Sequence, residues 1–177
     1  MKHFIRQRFC IVPTLLMLAA SVAAESVEPS FQDNAKTLDG VISAYYEVVS
    51  GPKGFEYNPE RDSFLHARNA MITRFNEKGD FQRHTLLDEQ KSLEEPYAEG
   101  FFEVEVNRIV EEYGGIAHVW STYEIRESPN GKAFARGINS ISLYFKDDRW
   151  WISSWSTQTE DTREIPDKYL PGPGHAS

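Results

Sequence analysis

Few side chains in this sequence could do acid–base chemistry. Past the first 24 residues the histidines are His66, His84, His118 and His175. Asp62 stands four residues before His66, the spacing that puts a carboxylate and an imidazole on one face of a helix. No histidines share a metal-ligand spacing, so neither a metal nor another cofactor is expected. No serine lies in nucleophile-elbow text. Cys10 is the only cysteine, and it falls in an expected leader. The rest of the chain therefore has no disulfide, thiol nucleophile or thiolate site.

The elements that must position these groups follow from pattern. Leu38, Val41, Ile42, Tyr45, Val48 and Val49 recur at helical spacing and predict a helix from about Ala35 to Ser50, capped by Asp33 or Asn34 and stopped by Gly51-Pro52. Asn58-Pro59 opens a shorter helix holding Phe64, Leu65 and Ala67. Ala70–Phe75 reads as a short strand and Lys78-Gly79-Asp80 as a turn. Thr85-x-x-Asp88 reads as the cap of a third helix, with His84 in the polar approach to it. From Phe101 the pattern changes to four long strands, 101–113, 116–126, 133–145 and 150–158. Gly114-Gly115, Ser128–Gly131 and Lys146–Arg149 are the turns between them. Helices first and a meander afterwards predict an α+β domain, with N-terminal helices packed on a strongly bent antiparallel sheet.

Turn lengths give a register. If Gly114-Gly115 is a two-residue turn, Val106 opposes Tyr123 and Arg108 opposes Ser121. Carried across the next two turns, the same arithmetic sets Tyr123 opposite Arg136, Val119 opposite Ser140 and Ser140 opposite Trp155. One face then holds Phe102, Val104, Val106, Val119, Tyr123, Ile125, Phe134 and Ile138 around Arg108, Ser121, Arg136, Ser140 and Trp155. An apolar wall with a few polar groups describes a ligand pocket. Its expected binding residues are Arg108, Tyr123, Arg136, Ser140 and Trp155, and its expected ligand is a small molecule, with a carboxylate as one choice. An arginine beneath a helix needs a partner, which could equally be Glu47 or Asp39 of the first helix. The opposite face takes Glu103, Glu105, Glu124, Arg126 and His118 with Trp120, Ile141, Leu143, Trp150 and Ile152, a mixture suited to a homodimer contact. A bulge would flip part of this assignment.

Residues 1–24 read as a secretory signal peptide. Lys2, Arg6 and Arg8 start it, Ile11–Ala20 is its apolar run, and Val22-Ala23-Ala24 supplies the cut. The run is shorter than the roughly 20 residues a membrane span needs, and Cys10 precedes it rather than sitting at the cut. A periplasmic or secreted domain without a lipid anchor is therefore expected. A flexible lead-in (25–33), the domain (34–160) and a Pro-rich extended tail (161–177) follow, with Tyr169-Leu170 able to dock on the domain. The formal charge of −8 becomes −11 once Lys2, Arg6 and Arg8 are removed, which argues against nucleic acid as a partner.

The run His118-Val119-Trp120-Ser121-Thr122-Tyr123-Glu124, then Arg136-Gly137-Ile138-Asn139-Ser140-Ile141, then Asp148-Arg149-Trp150-Trp151-Ile152 resembles the nuclear transport factor 2-like superfamily, in particular its SnoaL-like branch, over roughly Asn34 to Gln158. The resemblance implies a cone in which a bent sheet wraps an N-terminal helix and leaves a pocket, and it implies a dimer. It does not fix function, since the fold carries isomerases, dehydratases, cyclases and binding modules. The isomerase members place a base on the strand after the second helix, where this chain has Thr73 or Arg74. They place a second acid where it reads Ser140-Ile141-Ser142-Leu143. Carboxylates of that type are thus expected to be absent. The dehydratase members use histidines with tyrosine and aspartate neighbours, and His66, Asp62 and Tyr45 or Tyr46 could form such a group. Three functions stay open: a small-molecule binder, a lyase or isomerase, and a dimeric assembly module with a vestigial pocket.

Overall fold

The computed structural model describes residues 31–172 apart from Glu77 and Thr162. The expected signal peptide and the end of the tail lie outside the described residues. A 3-10 segment, Phe31–Lys36, precedes α1 (Leu38–Val48). The cap is Thr37, whose side chain accepts from the Gly40 N–H at 3.0 Å, so the helix starts later than its apolar spacing suggests. A Cβ at position 40 would lie 2.2 Å from the Asn34 carbonyl oxygen, and glycine there lets the 3-10 segment pack against α1. Asn58 caps α2 (Pro59–Leu65). β1 (His66–Phe75) follows without a loop, so His66 is the first residue of a strand rather than part of a helix. β2 (Phe81–Thr85) is a strand the sequence pattern left unassigned. α3 (Leu86–Ser92) carries the expected capping box between Thr85 and Asp88.

The long strands β3 (Phe102–Tyr113), β4 (Ile116–Arg126), β5 (Ala135–Lys146) and β6 (Arg149–Thr159) form the meander. The six-stranded sheet runs β2-β1-β6-β5-β4-β3. It is mixed rather than wholly antiparallel, because β1 pairs with β6 in parallel. α1 lies in the concave face, where Val41, Ile42, Ala44 and Val48 pack with Ile72, Val119, Ile141, Leu143 and Ile152, all essentially inaccessible to solvent. Burying such side chains stabilises by about 1.5–3 kcal/mol each.

Register departs from turn arithmetic at three places. The Gly114-Gly115 turn holds its pairing from Tyr113↔Ile116 to Asn107↔Thr122, but a bulge at Val106 then sets Glu105 against Tyr123. A bulge shifts the side-chain alternation by one, so Glu103 and Glu105 face inward and the pocket positions expected of Phe102, Val104 and Val106 are lost. β4 and β5 pair one residue out of the expected register, with Tyr123↔Gly137, Ser121↔Asn139 and Val119↔Ile141. The connection holds one residue more than the Ser128–Gly131 turn alone supplies, and β5 is inverted as a result. A third shift, between Ser142 and Leu143, sets Ile141 against Trp155.

Ile141, Leu143, Trp150 and Ile152 therefore belong to the concave core and not to an outer dimer face. That outer face is partly covered by the chain itself. The Tyr169 carbonyl accepts from Asn107 Nδ2 (3.0 Å) and Thr122 Oγ1 (2.5 Å). The Tyr169 ring lies 5.4 Å from that of Trp120, and Ile165 is buried.

Candidate functional site

Between α1, α3 and the concave sheet lies a cavity of about 390 Å³. Tyr45 and Val49 come to it from α1, Asp62 and His66 from the α2–β1 junction, Arg74 from β1, and Leu86 and Glu89 from α3. The meander adds Glu103, Tyr123, Asn139 and Trp155. A larger depression of about 550 Å³ lies on the outer face under the C-terminal segment. None of the buried, unpartnered polar atoms among the described residues lines that one.

Glu103 is the carboxyl that the register had assigned to the wrong face. Its Oε1 accepts from Asn139 Nδ2 at 2.9 Å. Burial raises its pKa from 4.5 to about 7, against the Asn139 hydrogen bond and the more distant Arg74 charge. Asn139 is 1 % exposed, and its Nδ2 also donates to the Tyr46 hydroxyl at 3.2 Å. That hydroxyl shares a 2.6 Å hydrogen bond with Ser121 Oγ, and Ser121 donates to Glu105. Burial, with Glu103 nearby, pushes the Tyr45 and Tyr46 phenols well above their ordinary value.

The Asp62–His66 pair forms, although across a helix–strand junction. His66 Nδ1 lies 2.9 Å from the Asp62 carbonyl oxygen and 3.2 Å from its Oδ1, and both residues are buried. Nδ1 therefore carries a proton. Burial works against ionised Asp62, but hydrogen bonds from His66, Tyr57 and Gln90 outweigh it and hold the carboxyl below its ordinary value. The Tyr45 ring lies 6.1 Å from that of His66 and 5.8 Å from that of Trp155. The Tyr123 hydroxyl meets Thr157 Oγ1 at 3.1 Å. A Cβ at Gly137 would come within 2.4 Å of that hydroxyl and 2.5 Å of the Gln158 carbonyl oxygen, so the glycine makes room for Tyr123.

Of the five expected binding residues, Tyr123 and Trp155 line this cavity and three do not. Arg108 bonds Glu105 through Nε at 2.9 Å and Asp39 of α1 through Nη1 at 2.7 Å, the internal pairing that was the alternative to a ligand. Arg136 is on the outer side, held by Glu160 through Nη2 at 2.9 Å. Ser140 also faces outward and bonds His118 Nε2 at 2.9 Å. The register slip puts both there. Arg74, at a position expected of an isomerase base, bonds Glu89 and lies over the Trp155 ring at 5.2 Å. The wall's carboxyl without an ion pair on the sheet, Glu103, comes instead from β3. No local signal in the sequence marks Glu103 or Asn139, because the bulge and offset that turn them inward are set by the sheet. No cluster of three or more potential metal ligands occurs among the described residues, and no helix among them is long and apolar enough to cross a membrane.

No family model matches the sequence, and no curated protein matches it. Solved structures do match. A nuclear transport factor 2-like protein of unknown function from Silicibacter pomeroyi aligns with a TM-score of 0.55 at 12% identity, covering 70% of this chain and 92% of the other. The chain has the nuclear transport factor 2-like fold. A protein of unknown function with a cystatin-like fold from Nostoc punctiforme aligns at 0.54 and 9% identity, covering 68% and 86%. One of unknown function from Mycobacterium tuberculosis aligns at 0.52 and 13%, covering 68% of each. In the nuclear transport factor 2-like fold of this chain, the cavity lies between α1, α3 and the concave sheet.

Proposed function

We propose that this protein binds a small, largely apolar organic molecule in the cavity between α1, α3 and the concave sheet. One observation carries the reading. Three buried side chains that line the cavity each hold a polar atom without a partner: His66 Nε2, Asn139 Oδ1 and Trp155 Nε1. Buried polar atoms are nearly always paired, and leaving one unpaired costs about 1–3 kcal/mol. A bound molecule with matching polar atoms recovers that cost, and the volume is in the range of ordinary ligand pockets. The basic, apolar and small-residue order of residues 1–24 supports placing this binding outside the cytoplasm.

The test uses the indole N–H signals of the four tryptophans. Titrating a set of apolar fragments is expected to move the Trp155 signal while those of Trp120, Trp150 and Trp151 stay in place. Fragments that move none of them, or that move Trp120 as much as Trp155, would sink the proposal.

A second reading, an isomerase or lyase, draws on the oriented His66 imidazole and the Glu103 carboxyl, which has a pKa suited to proton transfer near neutrality. Under this reading, small ketones held in D2O with the protein exchange their α-protons faster than in buffer, and Glu103→Gln removes the excess rate. Equal exchange with and without protein would dismiss it.

A further inference from the structure

We infer that the molecule taken by this cavity is an organic amine in its ammonium form, with its hydrocarbon body against Tyr45, Tyr123 and Trp155 and its N–H groups on Glu103 and the Asn139 amide oxygen. This rests on the binding reading above and adds the chemical class.

The charges lining the cavity are mostly met within the protein. Asp62 is held by His66, Tyr57 and Gln90. Glu89 bonds Arg74 and His84. Asp80, also on the wall, is exposed to water and accepts from Asn76. Glu103 is less exposed, its hydrogen bond comes from the neutral Asn139 amide, and it has no ion pair among the described residues. A carboxyl taken from water without a counter-ion is costly, and an ammonium group is the ligand charge that would relieve it.

The unpartnered atoms agree with that sign. Asn139 has spent its Nδ2 on Glu103 and Tyr46, which fixes the amide's orientation and leaves Oδ1 as an acceptor. Carboxylate and amide oxygen both call for a donor, and an ammonium offers several with no acceptor to conflict. The unpartnered donors on the wall are Trp155 Nε1 and Arg74 Nε. One belongs to a neutral indole and the other to a guanidinium whose charge Glu89 meets, so they suit a hydroxyl or ether oxygen rather than an anion. Aromatic faces favour cations, and the Arg74 guanidinium already lies over Trp155.

The experiment compares phenethylamine, phenethyl alcohol and phenylacetate, titrated by calorimetry into the full chain and its Glu103→Gln variant, with the Trp155 indole signal as the reporter of place. At about pH 7.5 the amine is expected to bind on the order of tenfold more tightly than the alcohol, a gap of about 1.4 kcal/mol, with phenylacetate weakest. Glu103→Gln is expected to erase the amine's advantage. The advantage should also shrink below about pH 7, as Glu103 takes up its proton. The groups facing Glu103 are Tyr45 and Tyr46 of α1, Arg74 of β1, Glu89 of α3, Tyr97 and Tyr123. Equal affinities for amine and alcohol, tighter binding of phenylacetate, or an amine advantage that survives Glu103→Gln would overturn the amine assignment while leaving the cavity a binding site. If no compound moves Trp155, the binding reading falls and the amine assignment falls with it.

Discussion

Glu103→Gln is expected to make the ligand-free protein more stable at about pH 8, by roughly 3 kcal/mol. The sign follows from linkage. The carboxyl titrates near 4.5 when exposed and at about 7 in the fold, because burial disfavours its ionised form. Below the lower value both states are protonated and the group costs nothing. As pH rises through that interval the unfolded chain releases its proton first, so the folded state loses ground until about pH 7 and keeps a constant deficit above it. Glutamine has no charge to bury and still offers an oxygen to Asn139 Nδ2. Urea unfolding across this range should show two curves that coincide near pH 4 and separate up to about pH 7. A gap independent of pH, or a variant less stable at pH 8, would refute the buried-charge account.

Asp62→Ala is expected to have the opposite effect, a loss of about 3 kcal/mol at neutral pH. Asp62 is 4 % exposed, and its carboxylate ties three elements together. Its Oδ2 accepts from the Tyr57 hydroxyl at 2.5 Å and from Gln90 Nε2 of α3 at 3.2 Å, while Oδ1 meets His66 Nδ1 of β1. The alternatives left to the donors limit the damage. His66 keeps the backbone oxygen of residue 62, and Gln90 keeps the Pro59 carbonyl and Ser63 Oγ. The carboxyl lies below its ordinary value of 3.8, so its contribution is present above that pH and lost as pH falls through the folded value. Denaturant midpoints, with Asp62→Asn as the milder comparison, check this. Since Gln90 and Glu89 share a helix, amide exchange in α3 should quicken too. A loss under about 0.5 kcal/mol would show that the carboxylate is dispensable to the packing.

Glu103 and Asp62 also mark where sequence reading succeeds and where it stops. Asp62 and His66 were legible because their relation is local, four residues along one turn, and the pair forms although the helix ends between them. The Gly114-Gly115 turn and the Thr85–Asp88 capping box were legible for the same reason. The internal partner for Arg108 was legible as a choice, because Asp39 stands on the helix above it. Glu103 was misplaced because its face depends on a bulge three residues away, and the strand's Phe-Glu-Val-Glu-Val alternation fits either face once both faces are covered. Arg136 and Ser140 were misplaced by a single extra residue in the connection before β5. β2 went unassigned because Phe81–Thr85 is polar and mostly exposed. The parallel pairing of β1 with β6 joins segments about eighty residues apart, beyond the reach of any local pattern.

The bulge at Val106 gives β3 one residue more than β4 between the Gly114 turn and the cavity. The nature of the cavity wall is thus a matter of parity. Paired at full length without the bulge, β3 would set Val106 against Tyr123 and Val104 against Ile125, and so bring Phe102 and Val104 inward in place of Glu103 and Glu105 with none of those residues altered. The same letters can therefore line the cavity with charge or with hydrocarbon, according to whether the strand bulges. Which of these side chains faces the cavity is settled by where β3 leaves its ladder with β4, and not by their identity.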